Sequence, residues 1–172
     1  MLLRFALLLG GVIAITGCAA RGNGATAPGT VDVSAYSRVA VNVVSAVPEN
    51  VAEESGRLEG QIVEELRKTG RFGEVGTLAA DGAASPPGTL RLTATITEIR
   101  KVGAAKRFFA GVFAGRARVA VKVQLVEAAG GTVVQEREVK GESGGTGLSG
   151  GTGDALSQAA KAIAKWLGQG AS

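Results

Sequence analysis

The residues able to do chemistry in this chain are few and easily named. Histidine is absent and Cys18 is the only cysteine. Without imidazole there is no Ser-His-Asp or Cys-His arrangement, no histidine general base and no histidine metal ligand. A single cysteine allows no disulfide within the chain. Acids remain. Glu53, Glu54, Glu64 and Glu65 could in principle work as glycosidases do, with carboxylates alone. Their spacing puts them on the polar side of one helix rather than in a cleft. The expectation is therefore no catalytic residue, no metal and no cofactor.

Cys18 has a clearer chemistry. One positive charge, Arg4, precedes an apolar run from Phe5 to Ile15, and the run ends in Ile15-Thr16-Gly17-Cys18. As a helix at about 1.5 Å per residue, this run falls well short of the roughly 30 Å bilayer core. It fits the apolar segment of an export signal. The four-residue ending resembles the lipobox of bacterial lipoproteins, an aliphatic residue and two small ones before the cysteine that is acylated. Residues 1–17 are expected to be cleaved and Cys18 to carry lipid. At roughly 0.8 kcal/mol per buried CH₂, several acyl chains give stable anchoring. The residue after the cysteine is Ala19. By the sorting rule of enteric lipoproteins, the absence of aspartate there favours the outer membrane, facing the periplasm.

Two familiar patterns occur in the glycine-rich stretch 144–153. Gly145-Thr146-Gly147-Leu148-Ser149-Gly150 matches G-x-G-x-x-G, but the chain ends before the acidic residue that a dinucleotide site requires. Gly147 to Gly151 matches G-x-S-x-G, but the serine lacks its usual base. A solvated connection is the simpler reading.

A third cluster is richer. From Arg100 to Val126 there are Arg100, Lys101, Lys106, Arg107, Arg116, Arg118 and Lys122, and no acid. Phe108, Phe109 and Phe113 lie in its middle. Phenylalanine among cations suits a headgroup boundary or an anionic partner. The bland alternative is a loop that buries its phenylalanines while its cations snorkel to water. Arg100, Lys101, Lys106, Arg107, Phe108, Phe109, Phe113, Arg116 and Arg118 form the candidate membrane or partner surface.

Periodicity places the elements that would carry these residues. Residues 18–35 are small, polar and Gly/Pro-bearing and predict a flexible tether. Residues 36–170 then form one domain. Val39, Val41 and Val43 alternate, which predicts a strand over 37–46. Val51, Leu58, Ile62 and Leu66 predict a helix over 50–69, stopped by Gly70. A short strand is expected near 71–78 and a clear one at 89–101, with a bulge near Glu98. Strands 116–127 and 132–142 flank a Gly-Gly turn. Asp154 is expected to cap a final helix whose apolar stripe contains Leu156, Ile163, Trp166 and Leu167. The order β-α-β-β-β-β-α predicts a two-layer α+β domain: a mainly antiparallel sheet of four or five strands with both helices on one face.

The formal net charge of +4 and sequence pI near 9.6 do not argue for nucleic acid. With one Trp, one Tyr and five Phe, stacking side chains are scarce, and export removes the chain from nucleic acid.

The run from Thr89 through Arg107, Gly115 and Val119–Leu125 to Gly130-Gly131-Thr132, with the terminal amphipathic helix, resembles a bacterial lipoprotein family catalogued as domain of unknown function 4410. The resemblance covers about residue 36 onward. It implies an exported α/β lipoprotein domain with no family active site to carry over. The resulting expectation is a non-catalytic, lipid-anchored binding or assembly module with an envelope protein partner. A small-ligand or lipid carrier, and less readily an envelope hydrolase, are the alternatives. Oligomeric state is left open.

Overall fold

The computed structural model describes residues 32–78, 85–101, 115–144 and 151–170. Five strands form one sheet: β1 (Arg38–Ser45), β2 (Glu74–Thr77), β3 (Thr89–Arg100), β4 (Arg118–Glu127) and β5 (Val133–Glu142). Helix α1 (Ala52–Lys68) follows β1, and α2 (Thr152–Gly168) follows β5. The strand order is β2-β1-β3-β4-β5.

The sheet is mixed: most of its pairing is antiparallel, as expected, and the parallel pairs at β1 are an addition to that expectation. β1 runs parallel to both β2 and β3, while β3–β4 and β4–β5 are antiparallel. The cause lies in the connections. After β1, the chain returns along α1 before it enters β2, and a helical return between neighbouring strands makes them parallel. The chain then passes β1 and adds β3 on the other side. Only the β3–β4–β5 part is an antiparallel meander.

Alternation within the strands sets the two faces. Val39, Val41 and Val43 of β1, Leu90, Leu92, Ala94 and Ile96 of β3, and Val119, Val121, Val123 and Leu125 of β4 are buried on one face. They meet Leu58, Ile62 and Leu66 of α1 and Leu156, Ile163 and Leu167 of α2. The core reaches back to Val33, fully buried in a single 3-10 turn ahead of β1. The β3–β4 register shifts between Ile96 and Glu98. This bulge turns Ile99 back toward the core, as its odd position in the sequence pattern required. The opposite face carries polar side chains, among them Thr93, Thr95, Lys122 and Gln124.

Helix ends follow the chemistry of their residues with one exception. Glu53 and Glu54 occupy the first turn of α1 and Arg67 and Lys68 its last, which suits the helix dipole. Gly70 leaves α1 with φ +63, a left-handed conformation that glycine adopts without strain. At α2 the N-cap is Gly151, and Asp154 sits inside the first turn. Asp154 therefore acts through charge at the positive helix end rather than as the cap.

α1 and α2 run side by side in the same direction. A carbon added at Gly153 would lie 3.3 Å from the Arg57 guanidinium, and one at Gly168 would lie 3.6 Å from Thr69. Both helices thus start at the end where β1 finishes. Gly56 and Gly60 lie within α1, and a carbon at either meets nothing within 4 Å. Gly56→Ala and Gly60→Ala should each raise stability by about 0.5–1 kcal/mol, because glycine is a poor helix former and nothing there excludes a methyl group. Urea midpoints would show it; a loss of stability in either variant would mean that something covers this face.

Candidate functional site

β3 ends and β4 begins at the pole where both helices start, so the basic segment joins the domain there. Arg100 is the last residue of β3 and pairs in register with Arg118, the first of β4. Two like charges face each other, and the next strand resolves the conflict. Glu142 of β5 lies opposite Arg118. Its carboxylate accepts from Arg118 Nε at 2.8 Å and lies 3.7 Å from Arg116 Nη1. On the helix side, Lys101 pairs with Glu54 of α1. The hydrogen bond from Lys101 holds the Glu54 carboxyl below its ordinary range, against the opposing effect of desolvation.

The strand ends are also tied by one main-chain bond and one bond to a side chain. Ser143 N donates to the Ala117 carbonyl at 2.9 Å, and Ala117 N donates to Ser143 Oγ at 2.9 Å. Both residues are buried. The base of the connection is thus a closed frame of three ion pairs and two hydrogen bonds.

Of the sequence-predicted surface, Arg100, Lys101, Arg116 and Arg118 are brought together at this frame. Lys106, Arg107, Phe108, Phe109 and Phe113 lie outside the described residues, as do Cys18 and the Gly145–Gly150 patterns. Three of the four placed cations are engaged by Glu54 or Glu142; Arg100 has no ion pair among the described residues. Sequence reasoning weighed Glu54 only as a candidate catalytic carboxylate and did not name Glu142, so it assigned neither acid to this surface. Glu142 was only partly open to detection: the Gly130–Gly131 turn brings it near Arg118, but a register shift between Leu125 and Val126 sets the actual pair. Glu54 was not open to it, because its contact joins a helix to a distant strand end.

The candidate carboxylates are distributed rather than gathered. Glu53 bonds Arg57 at 2.8 Å, and Glu64 and Glu65 share Lys68 at 2.7 and 3.0 Å. Hydrogen bonding to Lys68 lowers the pKa of Glu64. On the open sheet face, Lys122 and then Gln124 do the same for Glu136. Among the described residues no three of His, Cys, Asp and Glu are grouped as a metal site. A cleft of about 200 Å³ beside β1 and β2 is bordered by Val39, Leu78 and Pro86 together with Arg38, Glu74 and Thr89, and one of about 400 Å³ by Thr97, Lys122, Glu136, Arg137 and Glu138. Drug-sized ligand pockets are lined mainly by apolar side chains; the charged walls of the second cleft do not favour an apolar cargo. No described helix is long and apolar enough to cross a membrane.

Fold and frame define a two-layer α+β domain with a mixed sheet, whose charged side chains stabilise strand ends and helix faces. The model of the family described as "Domain of unknown function (DUF4410)" matches residues 43–147, and the chain belongs to that family. No curated protein matches it. Among solved structures it is similar to a PelC dodecamer from Paraburkholderia phytofirmans, at 19% identity and a TM-score of 0.55, covering 84% of this chain and 93% of that one. It is also similar to protein XCC0632 from Xanthomonas campestris, at 12% identity and a TM-score of 0.53, covering 79% and 85%. A third similar structure is the hypothetical protein CT253 from Chlamydia trachomatis, at 12% identity and a TM-score of 0.50, covering 77% and 96%. At these identities the likeness establishes the shared fold.

Proposed function

We propose that this chain is a lipid-anchored, non-catalytic binding and assembly module of the bacterial cell envelope, held on the outer membrane and facing the periplasm. The observation that carries the reading is the apolar run closed by Ile15-Thr16-Gly17-Cys18 ahead of a single domain. The dispersal of the acids into surface ion pairs supports binding over hydrolysis. The dodecamer formed by PelC supports assembly of copies as part of the role.

The fold adds a direction. The chain enters the domain at Asp32–Tyr36, beside the start of β1, while the basic frame lies at the far end of β3. Twelve residues of strand at about 3.3 Å each separate the two poles by roughly 36 Å. The entry pole is then the one near the anchoring bilayer. Arg100, Arg116 and Arg118 sit at the opposite pole, which favours an envelope partner over the anchoring membrane's own headgroups.

Metabolic labelling with a palmitate analogue in the native bacterium tests the anchor. The wild-type chain should be labelled and sediment with membranes. Cys18→Ser should lose the label and leave the membrane fraction. Retention of label and sedimentation by that variant would remove the basis of the reading.

A further inference from the structure

The two edges of the sheet are built differently. β2 has four residues, and an arginine covers it. Leu78 N bonds to the Val41 carbonyl, so the even-numbered residues here turn their main chain toward β1 and Val75 turns its own away. Arg67 Nε and Nη2 donate to that outward Val75 carbonyl at 3.1 and 2.8 Å. This edge is short and plugged.

β5 has ten residues and no such plug. The bond from Ser143 N to the Ala117 carbonyl fixes the ladder's phase, and close pairs recur every second residue. Gln135, Arg137, Val139 and Gly141 therefore bond toward β4. Glu136, Glu138, Lys140 and Glu142 turn their amides and carbonyls outward. No described residue bonds to those outward groups. An edge of this length is a template for an added strand unless something blocks it.

A groove runs along this edge between β5 and α2, with a volume of about 360 Å³. Trp166 lines it, with the Arg137 guanidinium 5.7 Å from its ring centroid. Arg137, Lys140 and Lys165 border the groove, against a single acid, Glu138. Lys140 engages Glu138 at 3.0 Å, and no described acid pairs with Arg137 or Lys165. The groove thus carries an excess of cations, two of them without an acid partner among the described residues, and this favours an acidic occupant.

We propose that the open β5 edge accepts an extended acidic peptide segment of a partner protein as a sixth strand, its carboxylates directed onto Arg137 and Lys165. Main-chain bonds to the outward groups would supply affinity, and the cationic groove would supply selection. This names a partner surface for the binding module proposed above. It rests on that reading for the existence of a partner and is independent of acylation at Cys18.

The probe is a ten-residue peptide alternating threonine and glutamate, titrated into the full-length chain in detergent micelles. A matched threonine–lysine peptide serves as comparison. Trp166 is the only tryptophan, so its emission reports the groove, and amide exchange at Glu136, Glu138 and Lys140 reports the edge. The glutamate peptide should shift the emission and slow exchange at those amides. The lysine peptide should bind about tenfold more weakly or worse. Glu138→Pro removes one outward donor and leaves the β4 ladder intact; binding should fall about tenfold with an unchanged circular dichroism spectrum. Lys140→Pro, at the next outward donor, should act alike and covers the case in which the first variant misfolds. Equal binding of the two peptides, undiminished binding to both folded proline variants, or absence of binding would each overturn the proposal. So would a dimer of the chain that Glu138→Pro dissociates, since the edge would then belong to a second copy. Membrane sedimentation reads the anchor separately, so the two proposals fail independently.

Discussion

Replacing Gly141 by alanine is expected to destabilise the domain by about 3 kcal/mol, at the upper end of what one added methyl group costs a packed interior. Gly141 is buried in β5, on the face that meets α2. A carbon built there would overlap the Ala155 carbonyl oxygen and lie 2.9 Å from Ala159 N. Both neighbours are main-chain atoms of a helix, so no side chain can swing aside. Relief requires α2 to lift from the sheet. The helix sits this close because its buried surface is rich in small residues: Ala155, Ala159, Ala160 and Ala164. Lifting it would loosen Leu156, Ile163 and Leu167, all fully buried between helix and strands. Denaturant unfolding of Gly141→Ala against wild type measures the effect. Gly76→Ala, in β2 where an added carbon meets nothing within 4 Å, is the matching control and should change little. Similar midpoints for Gly141→Ala and wild type would show that α2 does not pack as described.

Most of the element boundaries were legible in the sequence because each had a local cause. The valine alternation placed β1, the four-residue spacing of Leu58, Ile62 and Leu66 placed α1, and the slip at Ile99 announced the bulge. Gly70 and Gly131 mark turns with positive φ that few other residues accept. The parallel pairs were not legible. Nothing in the sequence of β1 says that β2 and β3 will take opposite sides of it, since that choice is made by connections and by the covering of α1. The start of α2 was misjudged for a related reason. Asp154 has the right chemistry for a cap, but the chain reaches the helix through Gly151 and puts the aspartate inside the first turn.

The candidate surface was legible as a set of cations and not as a structure. Composition drew attention to Arg100 through Arg118, and the sequence held no acid between them. The fold brings acids in from two other elements, Glu54 from α1 and Glu142 from β5. The β5 edge left no trace in sequence analysis at all. Arg137, Lys165 and Trp166 are ordinary members of an alternating strand and an amphipathic helix. Their significance follows from β5 being outermost, and strand order is a property of the whole sheet. Edge status also explains the charges along β5, whose Glu136, Glu138, Lys140 and Glu142 keep the strand from pairing indiscriminately.

Ser143→Ala should cost about 2 kcal/mol, the range expected when a buried donor loses its partner. The Ser143 hydroxyl accepts from Ala117 N at 2.9 Å, and Ala117 is fully buried. Removing the oxygen strands that amide without making room for much else. The loss is local in a useful way, because Ala117 stands one residue before β4, next to Arg116 and Arg118. Amide exchange at Ala117 should accelerate more than exchange at Val121 or Val123 in the centre of the strand. Ser143→Thr keeps an oxygen in place and should recover part of the stability. If Ser143→Ala unfolds within about 0.5 kcal/mol of wild type, where unremarkable substitutions fall, the hydroxyl is not what closes the strand ends. A loss shared equally between Ala117 and the strand centre would assign the bond to global stability alone. Acceleration confined to Ala117 would instead show that Ser143 fixes the point from which the basic segment leaves the domain, and so sets where Arg116 and Arg118 stand relative to Glu142.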